Sequence, residues 1–319
     1  MTSQDITVVM PVYNGRRYIR EAVLSVVCQT VSPSEMIIID DGSTDDSVAQ
    51  ISGIDCTFPV RVVRQNNSGQ SAARNYGMRL ARGKYIALLD QDDRWHPTHL
   101  ELLIKSIESD QGVGWVYSNV DEIDVDGHVV TLGLLDYLPP KHPKLRVVDM
   151  IATDMFILPG ASLIRKDALD EVEGFDERLS GYEDDDIFLR LFRLGWKNKY
   201  VASSTLQWRV YSTSTSYTAN MSRSRRVYFE KLIKTFPNDV RLGRYWAREL
   251  IGPRFFGSAL RSYLEGLREK DWNRCLSSLE EMHRYGEYFS PPLGLALKMK
   301  LMKVPKFYYR LFWLKRFFG

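Results

Sequence analysis

The first half of the chain alternates short apolar runs with segments whose apolar residues recur at helical spacing. ITVVMPV (6–12) predicts a buried strand, and the periodic stretch after it a helix over about 16–29. MIIID (36–40) predicts a second strand, which runs into the turn-forming DDGSTDD; a helix follows near 45–52. Residues 60–64 predict a third strand, SAARNYGMRLAR (71–82) a helix, YIALLD (85–90) a fourth strand and HLELLIKSIES (99–109) another helix. Such alternation with short apolar strands predicts a largely parallel sheet covered by helices. Further on the pattern is less regular. It predicts strands at 113–119 and near 161–165, and an exposed excursion rich in Leu and Pro over 132–145. A helix is expected over 183–195, with Ile187, Leu191 and Leu194 at helical spacing. Strand signals stop after Ser216, and 220–285 reads as helices.

In sheets of this kind ligands bind beyond the carboxyl ends of the strands. Three predicted strand ends carry polar groups: Asn14, then Asp40 and Asp41, then Asp90, Asp92 and Asp93. Closely spaced carboxylates at a strand end suit a hard cation such as magnesium or manganese, which takes one or two carboxylates plus phosphate oxygens. Each cluster alone has an ordinary explanation. Asp-Gly and Ser-Thr-Asp are common in turns and N-caps, and the acids that open the 183–195 helix complement its dipole. Their coincidence at one edge of one sheet points to a site. His96 and His99 form an HxxH pair, but Pro97 lies between them and no further His or Cys is close in sequence, so a structural or capping role is expected. Trp95 at a strand end reads at least as well as a core ring as it does as a wall for a ligand.

Length and charge refine this picture. A chain of 319 residues suits one large domain plus an appendage. Cys28, Cys56 and Cys275 lie far apart and form no CxxC pair, which argues against a disulfide framework or zinc site and for a reducing, cytoplasmic setting. Asp5 ahead of the first strand argues against a secretion signal, and no stretch reaches the roughly 18 apolar residues of a membrane span. The net charge of +3 hides an asymmetry: residues 1–218 hold 22 Lys/Arg against 31 Asp/Glu, a net −9, and 219–319 hold 21 against 9, a net +12. No acid follows Glu287, and KMKLMKVPKFYYRLFWLKRFFG (298–319) interleaves cations with aromatics. Such a segment suits a membrane interface, docking on the acidic domain, or an oligomer contact. The first strand leads into PVYNGRRY without a GxGxxG turn, which argues against a dinucleotide-dependent oxidoreductase. The lack of a recognised nucleic-acid module argues against a nucleic-acid partner.

Six segments in order, VVMPVYNGRRYIREAVLSVVCQT (8–30), MIIIDDGSTDDSV (36–48), NNSGQSAARNYGM (66–78), GKYIALLDQDDRWHP (83–97), GASLIRKDAL (160–169) and GFDERLSGYEDDDIFLRLFRLGW (174–196), resemble the family-2 glycosyltransferases of the GT-A fold. The resemblance covers about residues 6–216. It implies an α/β, Rossmann-like catalytic domain over 1–218, with a mostly parallel mixed sheet flanked by helices. The donor half would span about 1–97 and the acceptor half about 98–218, followed by a basic, mostly helical region over 219–319. It also implies an inverting transfer of a sugar from a nucleotide-diphosphate donor, usually a UDP-sugar, to a saccharide hydroxyl, with Mn2+ or Mg2+ as cofactor. Pro11, Tyr13 and Asn14 match the positions where the first strand meets the nucleotide, and Asp41 the carboxylate that accepts a hydrogen bond from the base. Arg74 and Asn75 match the helix start flanking nucleotide and diphosphate. Asp90 and Asp92 match the DxD motif, with Asp92 as the direct metal ligand, and Asp184, preceded by Glu183, matches the general base. Arg209, which with Asp90 the resemblance sets among the nucleotide-binding residues, is retained in WRVYSTSTS (208–216), where many relatives read YRxHxxSxS; Tyr211 stands at the usual histidine. Lipid-linked acceptors are common in the family, which implies work at the cytoplasmic face of a membrane in cell-surface polysaccharide or glycan assembly. The alternative is a non-catalytic nucleotide-sugar-binding partner in such an assembly complex.

The chemistry requires these residue types. Loss of a nucleoside diphosphate from an anomeric carbon builds charge on the leaving phosphate, which a bridging cation stabilises. A carboxylate within about 3 Å of the acceptor hydroxyl can take its proton, and attack opposite the leaving group inverts the anomeric configuration. Beside Asp184, Glu183, Asp185 and Asp186 raise its pKa by repulsion while a helix N-terminus lowers it, so sequence leaves the direction open.

Overall fold

The computed structural model describes residues 4–138, 141–211 and 219–289. The chain divides into one unit of Met1–Met150 with Asp154–Ser224, and a second of Ile151–Thr153 with Arg225–Gly319.

The first unit contains β1 (Gln4–Val12), α1 (Ile19–Val27), β2 (Pro33–Asp40), β3 (Val60–Arg64), α2 (Gln70–Leu80), β4 (Tyr85–Leu88), β5 (Arg94–Trp95) and α3 (His99–Ile107). There follow β6 (Val113–Ile123), β7 (Val129–Thr131), α4 (Val148–Ile151, whose last residue belongs to the second unit), β8 (Ser162–Arg165), α5 (Lys166–Glu171), α6 (Glu183–Arg193) and β9 (Lys197–Arg209). Ile6 through Met10 are buried without exception, which a strand covered on both faces requires. The sheet order is β3-β2-β1-β4-β8-β6-β9-β5, with β7 on β6. β8 runs antiparallel to both neighbours, β5 to β9 and β7 to β6, and the remaining strands share one direction. This is the mostly parallel, helix-flanked α/β sheet that the sequence predicts. Val12 lies opposite Asp40 and Val9 opposite Leu88, so β1, β2 and β4 release their following loops at one edge.

Helices cover the sheet through apolar stripes. α1 buries Ile19, Ala22, Val23 and Val26 at i, i+3, i+4 and i+7. α2 comes in closer, because Gly77 leaves no room for more: a Cβ there would stand 2.3 Å from Val9 Cγ1. Trp95 settles as a core ring, stacked on His99 at 4.2 Å with its indole N–H donating to Gly160 O at 2.7 Å. His99 bonds Thr205 Oγ1 and His96 bonds Asp121, so the HxxH pair diverges into structural contacts.

Several elements differ from expectation. The helix near 45–52 is only a 3-10 turn, Val48–Ile51, because Ser43, Asp45 and Ser47 spend their side chains on the 14–16 loop and on their own backbone. β9 was not predicted: its thirteen residues mix polar and apolar positions without alternation, and it is fixed by long-range pairing with β6 and β5. Leu194 falls past the end of α6 and is 51% exposed. The 132–145 excursion is exposed at Leu132, Tyr137 and Leu145, yet it is pinned inward. Asp121 accepts the Gly133 N–H, Asn119 accepts that of Leu135, and Lys144 is wholly buried.

The second unit is helical over its described residues, with α7 (Ala219–Thr235, its first turns in the first unit), α8 (Gly252–Glu269) and α9 (Trp272–Gly286). Phe229, Phe255 and Tyr285 form its ring core with centroids 4.5–5.8 Å apart, beside a buried Arg225–Glu281 pair at 2.7 Å. No helix among the described residues is long and apolar enough to cross a membrane. The basic segment 298–319 lies outside the described residues.

Two glycine substitutions test the packing. Gly77→Ala and Gly257→Ala make the same change inside helices, but nothing stands within 4 Å of a Cβ at Gly257. Gly77→Ala is expected to destabilise by about 1–3 kcal/mol through overpacking, and Gly257→Ala to stabilise by roughly 0.5–1 kcal/mol, both read by denaturant unfolding.

Candidate functional site

At the shared sheet edge the loops after β1, β2 and β4 are knitted by side chains. Asn14 adopts φ +51°, a left-handed conformation that Asn tolerates, and its Oδ1 accepts Thr44 N–H at 2.8 Å. The Tyr13 N–H donates to Gln91 Oε1 at 2.9 Å, and Gln91 Nε2 returns a bond to Tyr13 O at 3.0 Å. Gly15 leaves room for this pair, since a Cβ there would stand 2.2 Å from Gln91 Oε1 and displace the Gln91 amide. Pro11 is buried opposite Ile39, whereas Tyr13 and Asn14 face outward. Asp40 holds the turn by accepting Ser43 N–H at 2.8 Å. Asp41 accepts Gln65 Nε2 at 2.7 Å and the N–H groups of Ser68 and Gly69, each at 2.8 Å. A carboxylate has about four lone-pair sites, so these three bonds fix Asp41 and leave one acceptor position.

Arg74 is the hub. Its side chain is 2% exposed; one arm donates to both oxygens of Asp90 at 2.8 and 3.0 Å, the other to Glu183 Oε1 at 3.0 Å, and Phe175 lies 5.3 Å away. Burial opposes its charge, but Asp90 and Glu183 outweigh burial and hold its pKa above the ordinary arginine value. Asn75 on the same helix bonds Phe175 N–H and O and Glu177 Oε1. The residues that resemblance sets beside the nucleotide and diphosphate thus spend these polar groups on tying α2 to β4 and to the segment leading into α6.

The β4 exit gathers three acids. Asp90 also accepts Gln70 Nε2 at 2.9 Å. Asp92 Oδ2 accepts the Tyr211 hydroxyl at 2.7 Å, and Asp93 Oδ1 accepts the Arg209 N–H at 2.8 Å. Burial, then Asp90, pushes the Asp92 pKa up; burial, then Asp92 and Asp90, pushes that of Asp93 well up. Burial and the neighbouring Asp92 likewise raise the Tyr211 phenol, which therefore stays a donor at neutral pH. Arg209 lies under this loop: its guanidinium bonds Asp92 O, Asp124 O, Val125 O and Glu21, with Tyr18 at 4.3 Å. It is 2% exposed and braces the loop from inside.

A hard divalent cation suits this donor set, because it would relieve the carboxylate repulsion that adds to burial in raising Asp92 and Asp93. Among the described residues no three His, Cys, Asp or Glu side chains form a cage for an ion by themselves. One or two carboxylates completed by phosphate oxygens and water is the arrangement these residues fit.

Glu183 and Asp184 open α6 after Tyr182, which takes φ +63° and turns the chain into the helix. Asp184 keeps partial exposure, and its Oδ1 accepts the Asp185 N–H at 2.8 Å. Burial raises its pKa well above the usual carboxylate value, with Asp185 and Glu183 adding repulsion and Arg74 opposing. That resolves the direction sequence left open: desolvation dominates. Glu183 Oε2 is buried with no hydrogen-bond partner among the described residues. Asp185 accepts Met155 N–H at 3.1 Å, and Asp185 and Asp149 both favour the charge of the buried Lys144, whose pKa burial draws down to about 8. Sequence reasoning missed Gln91, Glu21 and Lys144. Gln91, inside DQDD, was within reach as the middle of a strand exit; the other two carry no local signal.

A mostly parallel, helix-flanked sheet of this order, with carboxylates at its strand exits, has the architecture of the GT-A fold. The family model "Glycosyl transferase family 2" matches residues 7–173, and the chain belongs to that family. Chondroitin synthase of Escherichia coli is 32% identical over 191 residues, 60% of this chain, and hyaluronan synthase of Pasteurella multocida 30% over 191 residues. The matches span only 27% and 19% of those two proteins. Glycosyltransferase GlyG of Streptococcus pneumoniae is 31% identical over 228 residues, 66% of this chain and 73% of that one. In fold, S. aureus TarS 1–349, solved with UDP-GlcNAc, superposes with a TM-score of 0.62 at 16% identity, covering 96% of this chain and 91% of that one.

Arg74→Lys is expected to fail as a conservative change, since one ammonium cannot serve two carboxylates through a fixed fork. It should lower unfolding stability by about 3–5 kcal/mol, the usual consequence of leaving a buried partner uncompensated. Denaturant titration with and without UDP checks it.

Proposed function

We propose that the protein transfers a sugar from a UDP-sugar to a hydroxyl of a saccharide acceptor, with inversion at the anomeric carbon. The observation that carries this reading is the Arg74 bridge, which joins Asp90 on the donor side to Glu183, the residue before Asp184. In the proposal Asp41 offers its remaining acceptor position to the base N–H, with Pro11, Tyr13 and Asn14 lining the nucleotide. Asp92, with Asp90 beside it, holds Mn2+ or Mg2+, which when bound supplies Lewis-acid stabilisation of the departing diphosphate. Asp184 takes the acceptor proton, its basicity raised by burial. Glu183 Oε2, buried without a partner among the described residues, can accept a substrate hydroxyl. TarS, solved with UDP-GlcNAc, and the chondroitin and hyaluronan synthases support a UDP-sugar donor and a saccharide acceptor. A lipid-linked acceptor fits the basic, aromatic segment 298–319 as a peripheral membrane contact at the cytoplasmic face. Deleting 298–319 should then weaken sedimentation with anionic vesicles, and equal partitioning would remove that part of the proposal.

Asp184→Asn tests the base. The variant should lose a factor of about 10²–10⁴ in kcat while UDP still stabilises it against heat. A raised pKa puts the acid limb of wild-type kcat above the ordinary carboxylate value of 3.8, because activity falls as Asp184 takes up its proton. The same shift has a stability sign: a carboxylate whose folded pKa exceeds its unfolded one loses stability as pH rises between the two values. Asp184→Asn should therefore raise Tm at neutral pH, with the gain vanishing as pH falls to the unfolded value. Turnover that persists in the variant would overturn the assignment of Asp184 as the base.

Asp92→Ala tests the cation site. It should abolish the manganese dependence of UDP binding, read by calorimetry, with an unchanged circular dichroism spectrum; retained dependence would remove Asp92 as ligand.

A further inference from the structure

Between α7 and α8 the chain turns at residues 239–244, closed by backbone bonds in both directions: Asp239 N–H to Arg244 O at 2.6 Å and Arg244 N–H to Asp239 O at 2.9 Å. The Asp239 carboxylate accepts the N–H groups of Arg241 at 3.0 Å and Leu242 at 3.2 Å. Gly243, at φ +61°, donates its N–H to Val240 O at 3.3 Å. Every backbone N–H from 241 to 244 is thus satisfied inside the turn. Two of the side chains the turn presents outward are apolar: Val240 is 73% exposed and Leu242 62%. Arg241 and Arg244 are exposed beside them, and Tyr245 and Trp246 follow, half-buried, with the guanidinium of Arg248 over the Tyr245 ring at 3.8 Å.

We propose that this turn docks on an anionic bilayer surface, with Val240 and Leu242 entering the interface and Arg241 and Arg244 meeting headgroup phosphates. An apolar phase penalises unsatisfied backbone N–H groups, and this turn brings none from 241 to 244. Aliphatic side chains held at the tip gain nothing in water but gain by burial. Tyr and Trp sit favourably at headgroup depth, and each cation near an anionic surface adds attraction. Residues 219–297 hold 14 Lys/Arg against 9 Asp/Glu, a net +5, which favours an anionic surface. Two copies meeting at this turn would set Arg241 and Arg244 against their like, a repulsive arrangement. The inference rests neither on the sugar-transfer reading nor on segment 298–319.

The test uses the full chain carrying Cys28→Ser and Cys56→Ser, with an environment-sensitive fluorophore at Val240→Cys and vesicles of phosphatidylcholine with or without phosphatidylglycerol. Emission should shift to the blue only with the anionic vesicles. In unlabelled protein, Arg241→Gln and Arg244→Gln should each reduce vesicle partitioning about fivefold, and Val240→Ser with Leu242→Ser roughly tenfold. Vesicle binding with unshifted emission would overturn the proposal, as would the absence of binding. A blue shift that grows with protein concentration without vesicles would overturn it in favour of a second copy.

Discussion

A buried guanidinium cannot be left alone, and Arg74 has been given two carboxylates from distant parts of the chain. Asp90 comes from the exit of β4 and Glu183 from the first turn of α6, 93 positions later in the sequence. Arg74 sits on α2, which lies close on the sheet because Gly77 has no side chain to hold it off. The position of the α6 N-terminus is thereby referred to the sheet edge through one desolvated charge. Asn75, bonded to Phe175 and Glu177, sets the approach of the segment that leads there.

Around that hub the protein concentrates negative charge beyond what its own cations balance. Asp92, Asp93 and Asp184 all have raised pKa values, and burial is the leading cause in each. The arrangement costs stability when these groups ionise; in the function proposed above, that cost is offset by a carboxylate cluster that holds a cation and a carboxylate that accepts a proton. Arg209 and Tyr211 restrain the cluster from below and from the side. The Asp92–Tyr211 bond also gives the unusual tyrosine a definite place, since its hydroxyl donates to the carboxylate that resemblance makes the metal ligand.

The buried strands and the carboxylates at their ends were legible because both are local. β1, β2 and β4 are runs of apolar residues, and their exits carry Asn14, Asp41 and Asp90 within a few residues. β9 was not legible, because its polar, half-buried sequence becomes a strand only through pairing with β6 and β5. The inward turn of Arg74 and Arg209 was hidden for the same reason: a motif shows that an arginine is present, but its partners lie up to 188 positions away. Lys144 was read into an exposed stretch because a lysine between Pro143 and Leu145 carries no local sign of burial, whereas in the fold it is wholly buried, with Asp185 of α6 and Asp149 of α4 favouring its charge. The Asp184 pKa required burial, a quantity no spacing rule contains.

The claim that one arginine couples the donor side to the catalytic segment is most directly tested by a double-mutant cycle. Asp90→Asn and Glu183→Gln, singly and together, are followed by urea unfolding at neutral pH. If Arg74 joins the two carboxylates, the double variant departs from additivity by about 0.5–3 kcal/mol. Additivity within about 0.3–0.5 kcal/mol would mean that the two sites are independent and that Arg74 is not the link between them.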